Sequence, residues 1–363
     1  MINVVYALRV LIYSICLIVA LGSTVSSAEP QQQFLVLPEI NYLHEQSDAL
    51  GEHSGDFNAS LDLLYALDVN QFRFFTEIIA TDTDARNGSS NIELARYHAG
   101  YETSSGTTLL FGLFQLNQGY WNKAFHFRNY IQPSILPPGI ASFEREGGAL
   151  PVHVTGVNVS RRWALRKNSA LYVEASFGAG TKFDGNQLKN YDIFNPGTGS
   201  KPSSSLRLSY LPNQDLDTEI GIFFVDNRVP ILNTPFTENK QKVYGSYFNS
   251  NFDALRLYAA VYWINNELNA ATENQNDNFY SAWLQSDYRI NKNWLPYLRI
   301  EHSNGNASSP YLAWFPKFVR DRRLLGLRWD LIENHALKFE YANTTFLQED
   351  SNQWAIQWSM IFP

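Results

Sequence analysis

Large apolar residues recur at every second position along most of this chain, whereas no stretch beyond the N-terminal segment is continuously apolar. For example, Leu255, Leu257 and Val261 occupy one set of alternate positions, and Arg256 and Tyr258 occupy the other. Side chains of a strand point alternately to opposite faces, whereas a membrane helix needs about 18 or more consecutive apolar residues. The pattern therefore predicts β-strands with one apolar and one polar face.

The alternation predicts an all-β fold of about 16 strands. Most of the predicted strands have about 10–13 residues, which is the length that a tilted strand needs to cross a bilayer. The predicted strands begin near Gln33, Phe57, Asn70, Asn91, Thr107, Leu150, Ser169, Ser203, Asp215, Gln241, Asp253, Asp277, Asn293, Val319, Asn334 and Asn352.

The connections alternate between short turns, such as "DVN" at 68–70 and "NKN" at 291–293, and longer polar loops. The longer loops lie at about 46–55, 82–90, 118–149, 182–202, 228–240, 266–276 and 305–317. Outer-membrane barrels have this rhythm, with tight periplasmic turns and long external loops. A soluble β-sandwich, which is the alternative, has no need of it. We therefore predict a transmembrane antiparallel β-barrel with a long third external loop and both termini in the periplasm.

The first 28 residues have a different character. Arg9 precedes an apolar segment, and Ser26 and Ala28 stand at the −3 and −1 positions of a cleavage site before Glu29. This arrangement predicts that residues 1–28 are a cleaved Sec signal peptide, the alternative being an N-terminal membrane anchor. Residues 29–363 would then form one outer-membrane β-barrel domain.

The composition narrows the possible partners and chemistry. The formal charge is −7, which argues against a nucleic acid partner. The single cysteine, Cys16, lies in the signal peptide, so the mature chain has neither a disulfide nor a thiolate metal site. The seven histidines are scattered without the spacing of a metal site, and no phosphate-binding glycine loop is present. We predict no metal and no cofactor.

The predicted polar face carries many charged residues. They are Asp62, Arg73, Glu77, Arg96, Glu174, Arg207, Glu219, Arg256, Arg299, Glu301, Arg328, Asp330, Lys338 and Glu340. Burying so many charges in a filled core would be costly. We therefore expect this face to line a wet interior, as in barrels of this size.

Together, the strand number, the terminal strand ending in an aromatic residue and the long loop after the fifth strand resemble the bacterial porin superfamily. The resemblance extends over nearly all of the mature chain, but it is one of pattern and rests on no diagnostic motif. It implies that the third external loop, "QGYWNKAFHFRNYIQPSILPPGIASFEREGGAL", folds back into the lumen and narrows it. It also implies a possible homotrimer.

In general porins, acidic groups of this loop face a basic cluster on the opposite wall, and such charges select ions by sign. The resemblance therefore implies a charged constriction in this chain. The candidate constriction residues are Lys123, His126, Arg128, Glu144, Arg145 and Glu146 in the loop, and Arg73, Arg96 and Arg161 on the wall.

The C-terminal stretch "QWAIQWSMIFP" is the most regular alternating segment of the chain. We predict that it closes the barrel against the first strand, with its large apolar residues facing lipid. By resemblance, Trp354, Trp358 and Phe362 also form the signal that the barrel-assembly machinery reads. Porins usually end on the aromatic residue, whereas this chain adds Pro363.

These features predict a porin-like channel for passive diffusion of small hydrophilic solutes or ions across the outer membrane, and not an enzyme. One alternative is an outer-membrane phospholipase, because "RIEHSNGNAS" at 299–308 resembles the active-site segment of those enzymes. Here, however, His302 and Ser303 are adjacent, so in a regular strand they point to opposite faces. The other alternative is a structural or adhesion barrel with a plugged lumen.

Overall fold

The computed structural model describes residues 30–47, 53–84, 89–125, 130–144, 147–185, 187–191, 193, 199–214, 216–270 and 274–363. The predicted signal peptide, residues 1–28, lies outside these ranges. Within them, no helix is long and apolar enough to span a membrane.

Sixteen antiparallel strands close into one barrel. The barrel strands are β1 (Gln31–Ser47), β2 (His53–Val69), β3 (Phe72–Asp84), β4 (Ser89–Glu102), β5 (Thr107–Gln115), β6 (His153–Ala164), β7 (Ala170–Ala179), β10 (Pro202–Leu211), β11 (Glu219–Pro230), β12 (Phe236–Phe252), β13 (Leu255–Ala270), β14 (Gln275–Tyr288), β15 (Trp294–Ser303), β16 (Val319–Ile332), β17 (His335–Phe346) and β18 (Asp350–Met360). This architecture confirms the predicted fold class and strand number.

The remaining elements lie in the connections. They are the two-stranded sheet of β8 (Lys182–Phe183) and β9 (Leu188–Lys189), the helix α1 (Trp121–Ala124), and the short 3₁₀ segments Gly139–Ala141, Arg166–Asn168 and Leu312–Trp314. All of these elements lie in stretches that the sequence predicts as turns or loops, because two- to four-residue elements leave no periodic signal.

The strands are longer than predicted at one end of the barrel. β1, β2 and β12 have 17 residues each, and they extend into stretches that were predicted as polar loops. A polar strand still satisfies its backbone groups by pairing with its neighbours, so its polarity does not end it. The long connections that remain at this end, called here the long-loop end, are 116–152, 180–201 and 304–318.

The opposite end of the barrel, called here the short-turn end, is closed by tight turns. Asn70, Asp253 and Asn334 adopt left-handed backbone conformations there, with φ of 54°, 51° and 66°. Asn and Asp tolerate this conformation because their short polar side chains hydrogen-bond locally. The Asn and Asp residues at the predicted strand boundaries therefore mark real turns.

The last strand joins the first, as predicted. β18 pairs with β1 from Glu39↔Ser359 to Ser47↔Ser351, and Phe362 adds two backbone hydrogen bonds of 2.9 Å to Val36. Trp354, Ile356 and Trp358 are exposed on the outer face, whereas Ala355, Gln357 and Ser359 are buried on the inner face. Pro363 follows Phe362, the last paired residue, so its lack of a backbone N–H removes no hydrogen bond between the strands.

The outer face carries an apolar band between two aromatic levels. Near the long-loop end, Tyr341 packs on Trp354 with ring centroids 4.5 Å apart, and near the short-turn end Trp294 stacks on Trp329 at 5.0 Å. Between these levels, the large apolar residues Phe339 and Ile356 are exposed. Aromatic girdles around an apolar band are typical of barrels that sit in a bilayer.

Candidate functional site

The connection between β5 and β6, residues 116–152, is called L3 here, and its described part lies inside the barrel. Leu116 and Leu150 are completely buried. Trp121 packs against Tyr258 and Trp283 of the wall, with ring centroids 5.9 and 5.4 Å apart. An external loop would leave such groups in water, so the burial of these side chains holds L3 in the lumen.

The apolar side chains of L3 belong to a larger cluster on the inner side of β11–β14. The wall contributes Phe223, Val225, Val243, Tyr247, Tyr258, Tyr262, Ile264, Phe279 and Trp283, and two other connections contribute Phe183, Leu188, Tyr311, Leu312 and Phe315. This region of the lumen is dry. The expectation of a wet interior is therefore wrong for this side of the barrel.

Arg299 on β15 anchors the middle of L3 to the wall. Its side chain is fully buried, at 0% exposed. Nη1 donates to Ser134 Oγ at 3.1 Å, and Nη2 donates to the carbonyl oxygens of Leu136 at 2.8 Å and Pro137 at 3.0 Å. Nε donates to Glu301 at 2.8 Å. A guanidinium has five N–H donors in a fixed plane, so one side chain satisfies several backbone groups of an irregular segment.

Two wall carboxylates bind the backbone N–H groups of the same segment. Glu340 on β17 accepts from the N–H groups of Ile135 at 2.8 Å and Leu136 at 3.0 Å, and Glu301 accepts from that of Gly139 at 2.7 Å. Buried backbone groups must find partners, and hydrogen bonds to charged groups are the stronger kind. These inner-face charges therefore hold the loop and do not meet water.

Two further arginines on β16 complete this arrangement. Arg328 donates to the carbonyl oxygens of Tyr130 at 2.5 Å and Gln132 at 3.3 Å, and Arg322 donates to that of Pro137 at 3.2 Å. We call the five side chains Arg299, Glu301, Arg322, Arg328 and Glu340 the L3 anchor. Each lies on β15, β16 or β17, so the anchor holds residues 130–139 against one wall.

A second polar network holds the first part of L3. Lys123 Nζ donates to Glu174 Oε1 on β7 at 2.6 Å, and Glu174 Oε2 lies 3.1 Å from Arg207 on β10. Burial lowers the pKa of Lys123, although the Glu174 carboxylate opposes this effect. Tyr120 donates to Asp217 at 3.1 Å and accepts from Arg256 at 2.9 Å.

The end of L3 is fixed by Glu144. Its Oε1 accepts from the backbone N–H groups of Val152 at 2.5 Å and His153 at 3.0 Å, and its Oε2 lies 2.9 Å from His153 Nδ1. Burial by itself would raise the pKa of Glu144, but its interactions with His153 and the Val152 N–H hold that pKa below its usual value. Glu144 is 3% exposed.

Solved structures with the same architecture are found among outer-membrane proteins. An anion-selective porin from Comamonas acidovorans aligns over 92% of this chain and 100% of its own, with 11% identity and a TM-score of 0.62. The channel DcaP of Acinetobacter baumannii aligns over 93% and 99%, with 14% identity and a TM-score of 0.60. Salmonella typhi OmpF aligns over 90% and 97%, with 11% identity and a TM-score of 0.58.

This chain has the porin fold. At these identities the similarity establishes the fold alone. No family model matches the sequence, and no curated protein matches it.

The predicted wall arginines of this porin-like barrel lie in three different settings. Arg96 faces inward and pairs with the buried Glu77. Arg73 also faces inward, but it lies next to the short-turn end, where it contacts Glu102 at 3.0 Å. Arg161 shares the outer face with Trp163, and its guanidinium lies 5.3 Å from the Trp163 ring.

The prediction that Arg161 lines the constriction is therefore wrong, because strand β6 turns its even-numbered residues inward. Glu144 is also corrected, since it is buried in hydrogen bonds at the end of L3 and does not face a channel. Lys123 does lie in the lumen, where it pairs with Glu174. His126, Arg128, Arg145 and Glu146 lie outside the described residues.

The sequence did not predict the L3 anchor. Alternation did indicate that Arg299, Glu301, Arg328 and Glu340 face inward, and the structure confirms that orientation. It did not single out Arg322, nor did it indicate that these groups bind the backbone of L3. Such contacts join residues more than 160 positions apart, and no local pattern records them.

His302 and Ser303, the residues of the phospholipase-like stretch, point to opposite sides of the wall. His302 is on the outer face, with Nδ1 2.7 Å from Asp321 Oδ1, whereas Ser303 Oγ donates to the carbonyl oxygen of Tyr280 at 2.7 Å from the inner face. β15 is regular at this point, as the register His302↔Asp321 shows. The geometry therefore brings no serine–histidine pair together here.

Acid should loosen the end of L3. A carboxyl whose pKa is lower in the folded protein stabilises the fold above its unfolded pKa, near 4.5, and that stabilisation is lost as the pH falls through the folded pKa. We expect an acid-active protease to cut within 140–152 faster as the pH is lowered below 4.5. Glu144→Gln should flatten this dependence, whereas Glu333→Gln, in an exposed turn, should retain it. Identical pH profiles for wild type and Glu144→Gln would contradict the assignment.

Proposed function

We propose that this chain forms a porin-like channel in the outer membrane, through which small hydrophilic solutes or ions diffuse passively. The mechanism involves no covalent step, no cofactor and no enzymatic reaction. The single observation that carries the proposal is an uneven lumen: residues 130–139 of L3 are anchored to β15–β17, whereas polar inner-face side chains at the short-turn end of β2–β4 stay accessible. Asp68, Arg73 and Glu102 keep 49%, 51% and 41% of their side-chain surface exposed.

Accessible charges inside a closed barrel support a water-filled passage, because exposed ionised groups need hydration. The number of strands supports the same proposal, since barrels of about 16 strands leave room for an aqueous channel. A loop that fills part of the lumen would narrow this passage and so limit the size of the solute. The charged side chains of the inner face would attract or repel the ions that pass, according to their sign.

Conductance across a planar bilayer tests this function. The refolded protein should insert and give discrete current steps in potassium chloride, because the passage along β1–β4 would be filled with electrolyte. A heat-denatured sample serves as the control. Insertion without current would overturn the channel proposal and favour the structural barrel with a plugged lumen.

We also propose a location and partners for the channel. The chain would be exported with a cleaved signal peptide, folded by the barrel-assembly machinery through its C-terminal aromatic strand, and embedded in outer-membrane lipid. A homotrimer is part of the proposal, since Vibrio cholerae OmpT, which aligns with a TM-score of 0.52 at 12% identity, was solved in a trimer form. Sizing in mild detergent at a single chain mass would exclude the trimer.

A further inference from the structure

The inner face of β1–β4 is strongly acidic. The register of these strands turns eight carboxylates inward, namely Glu39, Glu45, Asp56, Asp62, Asp68, Glu77, Glu93 and Glu102. The only inward cations on the same described strands are Arg73 and Arg96. We call this surface the acidic wall.

The rest of the inner face has no such imbalance. Its inward carboxylates on the described strands are Glu174, Glu219, Asp277, Asp287, Glu301, Asp330 and Glu340. Its inward cations are Arg162, Arg207, Arg256, Arg299, Arg322, Arg328 and Lys338. The two sets are equal in number. Charge balance suits the region that binds L3, whereas the acidic wall carries charge in excess.

Neighbouring groups do not cancel this excess. Lys317 Nζ lies 2.8 Å from a carboxylate oxygen of Glu45. Lys338 on β17, which is separated from β1 by β18, carries one more positive charge. The parts of L3 outside the described residues, 126–129 and 145–146, have a combined formal charge of only +1. The acidic wall therefore keeps a net negative charge whichever way those residues face.

The negative charge also extends along the whole depth of the barrel. Asp56, Asp62 and Asp68 all face inward from β2 at six-residue intervals, which corresponds to about 20 Å between successive carboxylates. Asp56 is exposed near the long-loop end, and Asp68 is exposed beside Glu102 at the short-turn end. A permeating ion thus meets accessible carboxylates at both mouths, whereas Asp62, between them, is buried and can act only through its charge.

We infer that the acidic wall makes the channel selective for small cations over anions. This inference rests on the proposed function and names the class of ion that it favours. A passage lined by charge of one sign and bounded by low-dielectric walls concentrates counter-ions and repels co-ions. The anion selectivity of the Comamonas acidovorans porin is a property of that protein, and the shared fold does not determine the charge of the lining.

The reversal potential in a potassium chloride gradient measures this preference. At low salt we expect K⁺ to permeate about tenfold better than Cl⁻. The preference should shrink in 1 M salt, where the Debye length falls to about 3 Å. Equal permeability or a preference for Cl⁻ would overturn the inference while the current itself upholds the channel. A complete absence of current would overturn both.

Neutralising variants locate the effect. The triple variant Asp56→Asn, Asp68→Asn, Glu102→Gln should lower the K⁺/Cl⁻ permeability ratio severalfold. A matched triple on the outer face, Asp226→Asn, Glu267→Gln, Asp321→Asn, makes the same charge change and should leave the ratio unaltered. An unchanged ratio in the first variant would overturn the assignment to the acidic wall.

Folding of each variant is checked by its heat-modifiable mobility. Asp68 and Glu102 both contact Arg73, so the single variant Asp56→Asn provides a second test that leaves those contacts intact. It should shift the ratio in the same direction by a smaller amount. Failure of the single variant to shift the ratio, when the triple does not fold, would count against the inference.

Discussion

Replacing Arg299 with alanine is expected to release residues 130–139 of L3 from the wall and to raise the single-channel conductance. Arg299 satisfies three oxygen atoms of L3 as well as Glu301 and Gln285. Removing one partner of a buried charged pair costs about 3–5 kcal/mol, because the other charge stays buried without compensation. The loop segment is the part that can move to rehydrate these groups, so the cost should appear as release of L3.

Two measurements check this expectation. Trypsin should cut within 116–152 of Arg299→Ala but not within the same segment of the wild-type protein, and bilayer recordings should show larger and noisier current steps. Arg289→Ala is the matched control, since Arg289 lies in an exposed turn and its distance to the Asp330 carboxylate, 3.4 Å, is that of a weak contact. Protection and conductance identical to wild type in Arg299→Ala would show that the L3 anchor does not hold the loop.

Ending the chain at Ser351 is expected to abolish the barrel. The deleted residues include nearly all of β18, which pairs with β1 on one side and β17 on the other. Both neighbours would then present unpaired backbone groups to lipid, and each such group costs several kcal/mol. Open sheet edges therefore do not persist in the hydrocarbon layer, and no heat-modifiable species should form.

Removing Pro363 alone provides the control for this truncation. The bridge between Val36 and Phe362 would remain, with both of its hydrogen bonds, so this shorter deletion should assemble as wild type does. The assay is the shift in electrophoretic mobility between unheated and boiled samples in lipid. A heat-modifiable barrel from the chain ending at Ser351 would refute the closing role of β18.

Local patterns were sufficient to predict the barrel wall. The Asn and Asp turn residues and the apolar alternation predicted most strand starts to within a few residues, and β5 and β16 begin at Thr107 and Val319 as predicted. The errors occurred where strands continue with polar residues on both faces. β12 begins at Phe236, before its predicted start near Gln241, because hydrogen bonding to its neighbours carries it beyond the lipid.

The candidate site was predicted less well, for a reason that Glu144 and Arg161 illustrate. A loop carboxylate looks the same in sequence whether it faces a channel or accepts hydrogen bonds from Val152 and His153. Arg161 lies next to Arg162 in a strand, and only the register with β5 and β7 shows which of the two faces inward. Once the register is known, the alternation of side chains along a strand shows whether a wall residue faces inward or outward. No such rule applies to the residues of L3.

The amino-acid sequence by itself determined that this chain is a barrel, which face of most strands points outward, and that its last strand closes on its first. These properties follow from alternation and turn chemistry, which act over a few neighbouring residues. Only the tertiary structure decided where L3 lies and which charges hold it. Arg299 and Glu340 meet the loop backbone across long sequence separations, and these contacts hold residues 130–139 of L3 against β15–β17.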